Sequence, residues 1–142
     1  MKTAGQLLTA KGHDIWHIHP DASVYEAIEM MANKVVGALL VMDNNQLKGI
    51  ISERDYARKV VLKGHQPQQL QVKQIMTAKV IYVTPETPVT DCMALMTEKR
   101  FRHLPVFDEG GLIGLISIGD LVKAIIHEQQ FIIEQLEVYI NS

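Results

Sequence analysis

One cysteine, Cys92, in 142 residues rules out an internal disulfide and any zinc or redox site built on a cysteine pair. An excess of one charge is missing too. Fourteen Lys and Arg stand against sixteen Asp and Glu, so the chain lacks the basic surplus with which a dedicated nucleic-acid binder neutralises phosphates. Apolar runs such as Val35 to Met42 fall far short of the ~20 residues that cross a membrane. The first residues, Met1 to Leu8, lack the apolar centre of a secretory signal, so a cytoplasmic setting is expected. What remains is an ordinary globular composition, 47% hydrophobic and 21% charged, with enough apolar material for a core.

The chain contains a repeat. Shifted by 65 residues, Ile18 to Val61 aligns with Val83 to Ile126 without a gap. Identical pairs include Pro20/Pro85, Val24/Val89, Met31/Met96, Leu39/Leu104, Val41/Val106, Gly49/Gly114, Ser52/Ser117 and Asp55/Asp120. A further echo joins Gln6–Lys11 to Gln74–Lys79 at an offset of 68, so each copy has a short lead-in and the first carries Gly12-His13-Asp14 as an insertion.

Both copies read alike. Trp16 to His19 is a short strand closed by Pro20. Ser23 caps a helix whose buried stripe is Val24, Ala27, Ile28 and Met31, with Glu26 placed for a capping box. The second copy repeats the stripe as Val89, Cys92, Met93 and Met96 behind Thr87-Pro88. Each helix leads into a hairpin turning at Asp43–Gln46 or Asp108–Gly111, and then into a second helix after Ser52 or Ser117. The expected fold is α/β (α+β), two pseudo-symmetric βαββα units packed as one module, since one ~60-residue unit buries too little to stand alone. The expected division is 1–63, a linker 64–71, a second unit 72–126 and a helical extension 127–142.

The repeated element with chemical content is Gly49-Ile-Ile-Ser-Glu-Arg-Asp55, matched by Gly114-Leu-Ile-Ser-Ile-Gly-Asp120. Ser at a strand-to-helix junction with an acid three residues on is explained by capping and by the helix dipole alone. The same pair also suits a ribose, whose two hydroxyls a fixed carboxylate accepts while Ser and the first helical N–H groups receive phosphate. Composition does not choose between these.

The duplicated βαββα order, the Gly-x-x-Ser-x-x-Asp ends and Arg102-His103-Leu104-Pro105-Val106 together resemble a pair of CBS domains, a Bateman module, over nearly the whole chain. That resemblance implies a regulatory, non-catalytic module binding AMP, ADP, ATP, NAD or S-adenosylmethionine between its two units. It implies ribose at Asp120 and Asp55, hydroxyl contacts at Ser117 and Ser52, and adenine against the backbone of Val83 and Thr84 or of Ile18 and His19. Phosphate falls to Arg102 and His103, with Leu104, Pro105 and Ile118 alongside. In the first copy Gly37 and Ala38 replace Arg102 and His103, and Arg54 is the remaining cation there, so the Asp120 half is expected to bind phosphorylated adenosine better.

Other candidates read as structure. His13, His17 and His19 with Asp14 match no standard metal spacing, and Cys92, Met30, Met31, Met93 and Met96 read as core. No nucleophile, base and orienting group form a set, so no enzyme and no required cofactor are expected. Ile132, Ile133, Leu136 and Ile140 make a stripe that must cover the core or meet a partner, and CBS pairs suggest a homodimer. An interaction module serving an effector protein, without nucleotide, is the rival reading.

Overall fold

The computed structural model describes residues 2–141 and divides into two compact units, which are taken in turn. One unit is residues 15–80. In it β1 (His17–Ile18) lies parallel to β2 (Ala38–Asp43), which pairs antiparallel with β3 (Gln46–Ser52). The β2–β3 turn is made by Asn44 and Asn45, both at positive φ, 50° and 64°, as a two-residue hairpin that follows strand twist requires. Helix α2 (Val24–Lys34) starts at Ser23, whose side chain accepts the Glu26 N–H, and lays Val24, Ala27 and Met31 on the sheet. Helix α3 (Glu53–Tyr56) continues through a π-helical turn, Ala57–Val61, that places Val60 in the core and leaves Val61 exposed. Helix α4 (Val72–Ile75), the lead-in of the second copy, completes this core with Val72 and Ile75.

The other unit joins residues 2–14 to 81–141. Its sheet is the hairpin β4 (His103–Asp108) and β5 (Gly111–Ser117), covered by α5 (Val89–Lys99), by α1 (Ala4–Lys11) and by the start of α6 (Ile118–Asn141). The expected first strand of this copy shrinks to one bridge, Val83 with Val106, because Thr84 already turns back to Thr87. Helix α5 begins at Pro88 without a side-chain cap, Thr87 being taken by that turn. Cys92 and Met96 are buried and Met93 packs beside them, as the apolar stripe required.

The α/β repeat architecture stands, and the compact units do not coincide with the sequence repeats. The lead-in helices are exchanged, α1 packing with the second copy and α4 with the first. Gly114 and Gly49 are the reason these positions repeat. A Cβ on Gly114 would lie 2.6 Å from Leu8 Cδ1, and one on Gly49 2.7 Å from the Thr77 carbonyl. The expected linker 64–71 is likewise tied down, since Val24 N–H donates to Leu70 O at 2.8 Å. The expected extension is present, α6 running 24 residues. Leu121 is buried and Ile125 partly so, whereas Val122 and Ile126 are exposed.

Candidate functional site

Each hairpin ends in the same construction. In residues 15–80, Asp55 Oδ2 accepts from Ser52 N–H at 3.0 Å and from Ser52 Oγ at 3.0 Å, while Ser52 Oγ accepts the Asp55 N–H at 3.1 Å. In the other unit Asp120 Oδ2 accepts from Ser117 N–H at 2.8 Å and Ser117 Oγ accepts from Asp120 N–H at 3.1 Å. These are reciprocal caps, so the capping account of the Ser-x-x-Asp motif is correct as far as it goes. It does not account for what each carboxylate meets next.

Both aspartates carry a lysine that the motif does not contain. Lys59 lies 3.1 Å from Asp55 Oδ1 and donates to Ile75 O at 2.8 Å. Lys11, at the end of α1, meets Asp120 Oδ2 and donates to Leu115 O at 2.8 Å. Burial is the largest single influence on Asp120 and pushes its carboxyl upward. Lys11 and the Ser117 donors together outweigh it and hold the group below the ordinary carboxylate range. Lys59 was within reach of sequence reasoning, being four residues from Asp55 on one helix. Lys11, 109 residues from Asp120, gave no such signal.

The second-copy candidates fall into two groups. Arg102, His103, Ser117, Ile118 and Asp120 come together. His103 is the strand partner of Ser117, and Arg102 O accepts the Ile118 N–H at 2.9 Å to start α6. The Arg102 side chain is exposed. Val83 and Thr84 stand apart, opposite Val106, three residues or about 10 Å farther along β4. Val83 donates to Pro105 O and accepts from Phe107 N–H, so its main chain is paired in the sheet. Leu104 and Pro105 are buried. The first copy repeats the arrangement: Gly37, Ala38, Ser52, Arg54 and Asp55 at one end, with Gly37 O accepting the Glu53 N–H, and Ile18 and His19 at the other. His19 pairs there with Asp43, its Nε2 3.3 Å from Oδ1.

Beside Thr84 lies an open hollow of about 580 Å³ lined by Tyr82, Thr84, Glu86, Phe107, Asp108 and Glu109. Tyr82 and Phe107 meet edge to face at 5.0 Å. Its three carboxylates, Glu86, Asp108 and Glu109, make it unfavourable for phosphate. His13 Nδ1 lies 2.8 Å from Ile113 O, and no group of three potential metal ligands forms among the described residues.

The family model for the CBS domain matches twice, over residues 10–62 and 72–127. The chain belongs to the CBS-domain family. It is 43% identical to the CBS domain-containing protein CBSX3, mitochondrial, of Arabidopsis thaliana, over 147 residues that span all of this chain and 70% of that protein. Among solved structures, a protein with CBS domains from Burkholderia ambifaria shares 53% identity with a TM-score of 0.87, covering 90% of this chain and 96% of that one. CBSX2, solved in complex with AMP, shares 29% identity with a TM-score of 0.69, covering 91% and 99%. The chain is therefore a tandem CBS protein, and no helix among its described residues is long and apolar enough to cross a membrane.

Proposed function

We propose that this CBS pair is a regulatory module that binds an adenine nucleotide, AMP, ADP or ATP, or a related adenosyl ligand such as NAD, and catalyses no reaction. The observation that carries this reading is the doubled Ser-x-x-Asp turn, which holds a carboxylate in place at the start of the helix that follows each hairpin. The AMP complex of CBSX2 supports it.

In the Asp120 half, Oδ1 is the oxygen left to accept ribose hydroxyls, since the described contacts of that carboxylate fall on Oδ2. Arg102 and His103 take phosphate. Val83 and Thr84 take the adenine through their carbonyls, each of which keeps a second lone pair after accepting one N–H, from Phe107 and Thr87 respectively. The Asp55 half presents Ile18, His19, Gly37, Ala38, Ser52 and Arg54 in the same arrangement. It lacks the Arg102-His103 pair, so it is the weaker site for phosphorylated ligands.

Such a ligand regulates only through its differential affinity for two states of the protein. Calorimetric titration with AMP, ADP, ATP, NAD, S-adenosylmethionine and adenosine tests the reading. The expected result is binding of at least one phosphorylated adenosyl ligand. Arg102→Ala should weaken AMP at least tenfold and adenosine little, because the exposed guanidinium is not part of the fold. If none of these ligands binds at millimolar concentration, the reading is wrong.

A further inference from the structure

Helix α6 is built in two halves. Ile118, Leu121, Ala124 and Ile125 face the core of their unit, but every residue described from Gln129 to Asn141 is exposed. A projecting helix of this length is marginal in water unless something packs on it. Its apolar residues fall in register. Val122, Ile126, Ile133, Leu136 and Ile140, with Gln129 between, follow the 4-3-4-3-4 spacing of a coiled-coil seam, and Ile132 and Tyr139 widen it on one side. All seven apolar members are exposed, from 42% at Val122 to 80% at Tyr139.

We infer that this seam is covered by the same helix of a second copy, running antiparallel. The seam is self-complementary. Antiparallel alignment layers Val122 on the partner's Ile140, Ile126 on the partner's Leu136, and Gln129 on the partner's Ile133. The same register brings Ile132 against the partner's Ile132. On the opposite flank it sets Lys123 beside the partner's Glu137. A parallel pair gives none of this. It stacks Gln129 on its own copy in the seam and leaves Lys123 and Glu137 against isoleucines. The interface is isologous, as two-fold dimers require.

The inference does not depend on nucleotide binding. Sedimentation of the full chain at micromolar concentration should give twice the 16.0 kDa of one chain. Leu136→Glu should give a folded monomer whose far-ultraviolet circular dichroism loses at most the signal of the projecting half of α6, since Leu136 touches no core. Lys123→Glu and Glu137→Lys should each weaken the dimer several-fold and the double reversal should restore it. Ile126→Cys mixed with Leu136→Cys should cross-link the two variants to each other on mild oxidation, the buried Cys92 taking no part. The inference is overturned by a monomeric wild type, by a dimer that survives Leu136→Glu, by a double reversal that restores nothing, or by Ile126→Cys cross-linking to itself. A monomer that captures a different protein through Leu136 also overturns it.

Discussion

Replacing Asp120 by Ala removes three things at once: the acceptor of the Ser117 N–H, half of a reciprocal cap, and the partner of Lys11. Loss of a capping side chain costs about 1 kcal/mol. The Lys11 pair adds a fraction of that, because the lysine side chain is 38% exposed and water screens it. About 1.5 kcal/mol is expected in all, or a melting temperature lowered by roughly 5 °C. Lys11→Met, which spares the cap, should cost about 0.5 kcal/mol. Asp120→Asn keeps an acceptor and loses the charge, so it should fall between them.

The pH dependence carries the sharper demand. The folded carboxyl titrates below its unfolded counterpart, so its stabilisation is fully present above about pH 4 and disappears as pH falls through the folded value. Urea unfolding of wild type and Asp120→Ala, without ligand, should therefore show a gap that is constant near neutrality and closes on acidification. A gap absent at pH 7, or one that widens in acid, would refute the assignment of Asp120 as a charged cap held by Lys11.

Two further outcomes follow from the packing. Gly49→Ala should destabilise by about 2 kcal/mol and Gly114→Ala by less, measured by chemical denaturation, because the first drives a methyl into the Thr77 carbonyl and the second into a side chain that can shift. Cys92 lies in the core and burial, with Asp91 adding to it, pushes its thiol upward, so it should react with a thiol reagent at neutral pH only as fast as the unit opens, and at once in denaturant.

Elements with a local cause were legible from the residues. Helix α2 follows from the Ser23 cap and the Val24, Ala27, Met31 stripe, and both hairpins from apolar runs on either side of turns at Asp43–Gln46 and Asp108–Gly111. The shared identities at Ser52/Ser117 and Asp55/Asp120 located the caps. What escaped were contacts without a local signature. Nothing in Gln6–Lys11 says that this segment packs beside residue 114 and not beside its own repeat, and the exchange of α1 and α4 is a tertiary choice. The half-lost first strand of the second copy was also hidden, since Val83-Thr84 has strand character and only the Thr84–Thr87 turn stops it.

The lysines sharpen the asymmetry between the copies. Sequence reading located it in Arg102 and His103 against Gly37 and Ala38, a difference in what meets phosphate. The structure adds a difference in what already meets the carboxylate. Asp55 is engaged on both oxygens, Oδ2 by Ser52 and Oδ1 by Lys59 on the same helical run. Asp120 meets its cap and its lysine on a single oxygen, and that lysine comes from the far end of the chain. A ribose arriving at Asp55 must compete with Lys59 for Oδ1, whereas one arriving at Asp120 finds Oδ1 clear of both partners. On the proposed function, the two differences act in the same direction, and the Asp120 half is expected to be the tighter nucleotide site. The Asp120 half also binds Lys11 at the end of α1, so a ligand that drew the carboxylate away would loosen the N-terminal helix from Leu115 O and Asp120 together.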